Sequence, residues 1–135
     1  MADDLTLRRL VNTGPMFYRI LGPFLSRRAV VRETGGPIWD DDDKRWYVAL
    51  HGGTVVGFCA ARDANTHVMF QSAYTLPGWR RRGVCRTLAT EWMRDWSDRP
   101  SRAVCTPAML PLLLSFGFTA VRTRGTYTEV RRNDS

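Results

Sequence analysis

A chain of 135 residues and 15.4 kDa is the size of one compact domain, and a hydrophobic content of 44% supports a real core and excludes wholesale disorder. No apolar run approaches the roughly 18 residues that span a bilayer, and the start, Met1-Ala2-Asp3-Asp4, lacks the basic-then-apolar layout of a secretory signal. Twenty Lys+Arg against 13 Asp+Glu give +7, a balance that invites a nucleic-acid partner until its location along the chain is considered.

In chain order, Leu5–Val11 reads as a short first strand. Residues 14–35 carry helical spacing in Met16, Phe17, Ile20 and Leu21 between Gly14-Pro15 and Gly22-Pro23, then a second short helix from Leu25 to about Arg32, stopped by Gly35-Gly36-Pro37. Trp46–His51 and Thr54–Ala61 are strand-like runs joined by Gly52-Gly53, a two-residue hairpin turn. His67–Thr75 alternates Val68, Phe70, Ser72 and Tyr74 against Met69, Gln71 and Ala73, predicting a third strand of the set. Val84, Leu88, Ala89, Trp92, Met93 and Trp96 fall on one face of a long helix, with Glu91 and Asp95 on its polar side and Arg94 paired to Asp98. Ala103–Cys105 is a short strand, Leu110–Phe116 a short helix closed by Gly117, and Thr119–Thr123 and Thr126–Arg131 a last strand pair. The order of strand, two helices, three strands, helix, strand, helix and two strands predicts a mixed α/β fold in one domain, residues 1–135, with no internal repeat or linker.

The charge is unevenly placed. Residues 1–75 carry a net +1, and residues 76–132 carry +7 from eleven arginines and four acids. An anionic ligand therefore belongs to the second half. Cys59, Cys85 and Cys105 are odd in number and widely spaced, which argues against a disulfide framework or a cysteine metal site and points to a cytoplasmic setting.

The junction before the long helix carries the chemistry: Tyr74-Thr75-Leu76-Pro77-Gly78-Trp79-Arg80-Arg81-Arg82-Gly83-Val84-Cys85-Arg86-Thr87-Leu88. A helix start exposes unpaired N–H groups and a positive dipole end, glycine lets the backbone approach a ligand, and arginine adds forked donors. The spacing fits neither of the two common glycine-rich nucleotide motifs, so nucleoside-triphosphatase and dinucleotide readings lose support. An exposed basic loop before an ordinary helix has the same composition.

Here the sequence resembles the GNAT superfamily of N-acetyltransferases, whose cofactor loop reads [RQ]-x-x-G-x-[GA] between a strand and a helix. Arg80-Arg81-Arg82-Gly83-Val84-Cys85 matches its first and fourth positions, Pro77-Gly78-Trp79-Arg80 is similar to a common lead-in, and Gly117-Phe118 to the Gly-Phe after the last helix. The resemblance covers about residues 46–132. It implies a central, mostly antiparallel sheet, splayed by a bulge at the cofactor slot and flanked by about four helices, with residues 1–45 on the acceptor side. It also implies acetyl-CoA, or another acyl-CoA, as cofactor. Backbone groups of Ala73, Tyr74 and Thr75 would hold the pantetheine arm and acyl carbonyl, and Arg80, Arg81, Arg82, Gly83, Val84, Cys85 and Arg86 the pyrophosphate. The implied reaction is direct attack by a primary amine, on a small molecule or a protein, with a backbone N–H near Thr75 stabilising the oxyanion. No serine or cysteine has an adjacent histidine that would make it a ping-pong nucleophile.

The pattern breaks at three points. Cys85 stands where the family has glycine or alanine, either as a small tolerated residue or as a thiol activated by the helix start and Arg86. Leu113 stands where many relatives carry the tyrosine that protonates CoA; water, Ser115 or Tyr127 could assist instead. No carboxylate lies in Val68–Tyr74 to act as base, which leaves His67 as the candidate, through a water, or as an ordinary surface histidine. Asp40-Asp41-Asp42-Asp43 would be a solvated acidic loop near the acceptor side. The arginine excess keeps two other readings open: an acceptor amine on nucleic acid or a protein bound to it, and a non-catalytic CoA- or nucleic-acid-binding module. Pairing of edge strands into a homodimer is compatible with the family, and no membrane partner is expected.

Overall fold

In the computed structural model the described residues are 5–11, 20–21 and 44–133. They form seven strands: β1 Thr6–Leu10, β2 Lys44–His51, β3 Thr54–Asp63, β4 Val68–Thr75, β5 Ser101–Cys105, β6 Thr119–Arg124 and β7 Tyr127–Arg132. Two α-helices, α1 Val84–Asp95 and α2 Leu110–Ser115, lie among these residues, with a 3-10 turn at Pro77–Trp79. The expected count of about four helices is therefore not met among the described residues. The two helices read from 14–35, and the Asp40–Asp43 run, fall outside them, apart from Ile20 and Leu21, which are helical.

One seven-stranded sheet runs β1-β2-β3-β4-β5-β7-β6. Every neighbouring pair is antiparallel except β4 with β5. The β2–β3 turn closes as its glycines predict: His51 faces Thr54 across Gly52 and Gly53, whose φ of 55° and 82° suit a two-residue hairpin.

The strand alternation expected in β4 holds only halfway. Phe58 faces Tyr74, but two residues further along β3, Ala60 faces Gln71, so β4 carries one extra residue there. Ser72, at φ 58°, sits in this bulge. Because side chains alternate with period two, the extra residue reverses the face of everything beyond it. Val68 and Phe70 consequently pack in the core beneath α1, whereas Tyr74 joins the core on the opposite face with Trp46, Phe58 and Leu21.

The α1 face is the one its spacing predicts, with Val84, Leu88, Ala89, Trp92 and Met93 buried. Each large apolar side chain so buried contributes about 1.5–3 kcal/mol. Trp92 also satisfies its indole N–H at the Ala60 carbonyl (3.1 Å) and meets Phe70 edge-on at 5.3 Å between ring centroids. Helix and sheet approach closely at Gly57, where a Cβ would lie 2.8 Å from Val84 Cγ1 and 3.1 Å from the Tyr74 carbonyl oxygen. On the polar side, Arg94 pairs with Glu91 at 3.0 Å rather than with Asp98. Asp98 lies beyond the last helical residue, so the i,i+4 geometry is lost. None of the described helices is long and apolar enough to cross a membrane.

Candidate active site

The site follows from one incomplete strand pairing. β4 and β5 run parallel and share only the register pairs Val68–Ser101 and Met69–Arg102, at their N-terminal ends. Beyond the bulge they part. Leu76 N–H donates to the Val56 carbonyl of β3 at 2.9 Å. By two-residue alternation the main-chain groups of Thr75 and Ala73 are then turned away from β3, into the gap, and those of Tyr74 toward β3. The Thr75 carbonyl accordingly accepts a hydrogen bond from Arg80 Nε at 3.1 Å. Of the three residues expected to offer backbone to a pantetheine arm, Ala73 and Thr75 thus present it, and Tyr74 borders the cleft.

At the apex of the gap is a small cavity of about 50 Å³, walled by Phe70, Ala73, Ala103, Met109 and Leu113. Its protic side chains come from Gln71, Ser72, Cys105 and Thr106. From there the cleft widens through about 240 Å³ between Ala73–Thr75 and Thr106, Ala108 and Met109, to about 350 Å³ against the start of α1.

The start of α1 is built to receive an anion. Gly83 caps it at φ 80°, a left-handed conformation that suits glycine, and Arg81 before it also has positive φ, 63°. No side chain caps the helix and no acid lies in its first turn. The first bond in the helix runs from Thr87 N–H to the Gly83 carbonyl at 2.9 Å, so the N–H groups of Val84, Cys85 and Arg86 have no intrahelical acceptor. Arg80, Arg81, Gly83, Val84, Cys85 and Arg86 all line the wide end. Arg86 lies over the Phe116 ring at 5.6 Å and Arg80 over Tyr74 at 5.8 Å, contacts that hold both guanidiniums at the rim. Arg82 departs from the expectation: its guanidinium lies over Trp79 at 5.0 Å and it does not line the cleft.

Of the two readings of Cys85 the structure favours the small, tolerated residue, and the expectation for His67 is corrected. Burial pushes the Cys85 thiol up to about 11, outweighing the opposite pull of Arg86, so it is not an activated thiolate. Its Sγ packs 3.8 Å from Met109 Sδ, as a small apolar residue would. His67 lies just before β4, at the closed end where Val68 N–H meets the Pro100 carbonyl, and its Nδ1 is 2.9 Å from Thr66 Oγ1. It is not brought to the cleft. Leu113 is fully buried in the apex wall, the Ser115 hydroxyl donates to the Leu112 carbonyl at 2.5 Å, and Tyr127 lies in a different groove. Thr106, Ala108 and Met109, which form the β5 side of the cleft, were missed by motif reading. The signal for them was the strand-to-helix junction at Thr106-Pro107, a counterpart of the one before α1.

A sheet parted along one seam, with an uncapped arginine-flanked helix start at its mouth, is the α/β arrangement that the family resemblance implies. Residues 15–118 match the acetyltransferase (GNAT) family, and the chain belongs to it. Among solved structures it is similar to Escherichia coli ElaA, with TM-score 0.77 and 18% identity over 96% of this chain and 99% of that one. It is also similar to an acyl-CoA N-acyltransferase from Pseudomonas aeruginosa, with TM-score 0.75 and 16% identity over 95% and 99%. A GNAT family acetyltransferase from Elizabethkingia anophelis, solved with acetyl-CoA bound, has TM-score 0.68 and 9% identity over 96% and 98%. No curated protein sequence matches the chain.

Proposed function

We propose that the protein is an acyl-CoA-dependent N-acyltransferase that uses acetyl-CoA, or another acyl-CoA, to acylate a primary amine by direct attack. The parting of β4 and β5 beyond Met69 and Arg102, open onto the α1 start, carries this reading. The residues present suit the donor: unpaired helix N–H groups, no acid in the first helical turn, three cleft arginines and unfilled volume between them. Acetyl-CoA would supply an acyl group already activated as a thioester. Arg80, Arg81 and Arg86, with the N–H groups of Val84, Cys85 and Arg86, would hold its pyrophosphate. Main-chain groups of Ala73 and Thr75 would orient the arm and oppose the negative charge that develops on the acyl oxygen. Phe70, Met109 and Leu113 would keep water from the apex.

The test is calorimetric titration with CoA and acetyl-CoA, followed by thiol release in the presence of an amine panel. Binding with amine-dependent release, and intersecting rather than parallel double-reciprocal lines, is expected of direct attack. Absence of CoA binding overturns the reading, and binding without release leaves a non-catalytic module in its place.

A further inference from the structure

We propose that a second groove, on the open face of β5, β7 and β6, is the acceptor subsite, and that it selects amines carrying a carboxylate or a phosphate. This deepens the acyltransferase reading and rests on it. The groove, about 200 Å³, is lined by Val104, Arg122, Arg124, Tyr127 and Glu129. Register places these side chains together, since Val104 faces Glu129, Glu129 faces Arg122, and Tyr127 faces Arg124. Their neighbours Ala103, Cys105, Thr128 and Val130 are buried on the other side of the strands. Val104, 59% exposed, also lines the apex cavity, so groove and apex border the same β5 residue from the two faces of the strand.

The charge in the groove decides its ligand. Glu129 takes Arg122 and Arg131, each at 3.0 Å, and these bonds hold its carboxyl below the usual range. The Arg124 side chain makes no hydrogen bond or ion pair with any described residue. The groove is thus cationic over an apolar floor of Val104 and Tyr127, with one guanidinium uncommitted. A plain alkylammonium meets repulsion there; an amine that brings its own anion cancels it and gains a forked partner. β6 lies two strand spacings from β5, about 10 Å, so amine and anion belong at opposite ends of a linker of several bonds.

The experiment compares 6-aminohexanoate with hexylamine, which lacks only the carboxylate, and uses 6-aminohexyl phosphate, of similar reach, to separate phosphate from carboxylate preference. Wild-type protein should favour 6-aminohexanoate by about tenfold in kcat/KM, as a charge-assisted hydrogen bond predicts. Arg124→Gln should abolish the preference through KM, while Arg94→Gln, a change of the same charge on α1, keeps it; circular dichroism confirms that both variants fold. Equal rates for the pair, or a preference that survives Arg124→Gln, overturns the subsite. Acetyl-CoA titration of the same proteins separates the two readings: failure to bind it removes the acyltransferase itself, whereas binding without preference removes only the subsite. A chain that sediments as a dimer which Arg124→Gln dissociates makes the groove an interface between copies, and likewise overturns the proposal.

Discussion

At the scale of single residues, Cys85 and His67 carry the sharpest tests. With its thiol raised to about 11 by burial, roughly one Cys85 in a thousand is thiolate at pH 8. Alkylation of Cys85, read by peptide mass, should therefore be slow at pH 8 and rise about tenfold per pH unit; fast labelling at pH 7 would restore the activated-thiol reading. Cys85→Gly should keep or tighten CoA affinity, since only bulk is removed beside the N–H groups. His67→Ala should leave kcat/KM unchanged across pH 6–9, because the histidine sits at the shut end of β4. A lost limb in that pH profile would return it to the chemistry. Neither side chain could be assigned by motif alone: Cys85 needed the Met109 contact across 24 residues, and His67 needed to be seen at the end where β4 and β5 still pair.

Among the elements, α1 is anchored to the sheet edge by a network that no local pattern reveals. Arg9 on β1 reaches Asp95 at 2.7 Å and Glu91 at 2.9 Å, Tyr47 on β2 donates its hydroxyl to Asp95 at 2.7 Å, and Trp96 donates to Tyr47 at 3.0 Å. The bond from Arg9 holds the Asp95 carboxyl below its ordinary value, and the Tyr47 hydroxyl adds to this. A depressed carboxyl adds stability above its unfolded value, near 3.9, and loses it as pH falls through the folded value. Thermal melts should therefore show an acid-side loss that Asp95→Asn flattens, at a cost of about 1–2 kcal/mol at pH 7. An unchanged acid limb would show that Asp95 does not carry it. The apolar face of α1, the β2–β3 turn and the positions of the strands along the chain were legible because each depends on neighbours within a few residues. The face on which Tyr74 packs was not legible in the alternation, because one extra residue at Ser72 reverses it; the bulge was implied only by the family resemblance.

Over the whole molecule, the arginine excess is divided rather than pooled. Arg80, Arg81 and Arg86 face the cleft, and Arg122 and Arg124 the groove. Arg94, Arg99 and Arg131 are tied to Glu91, Asp63 and Glu129. The sum was readable from composition; the division was not, since its partners lie up to 86 residues apart, as Arg9 and Asp95 do. The parted seam has a mechanical consequence. With two register pairs joining β4 to β5, the hydrogen-bond ladder divides into two plates, β1–β4 and β5–β7–β6, which share one apolar core beneath α1. A ligand touching Ala73 and Thr75 on one plate and Thr106 and Met109 on the other would act as the missing rungs of the ladder. Hydrogen exchange should then slow on addition of CoA chiefly in β5, α2 and β7, and little in the β2–β3 hairpin; uniform protection would mean the plates already open as one. The donor would complete the sheet as well as fill the site.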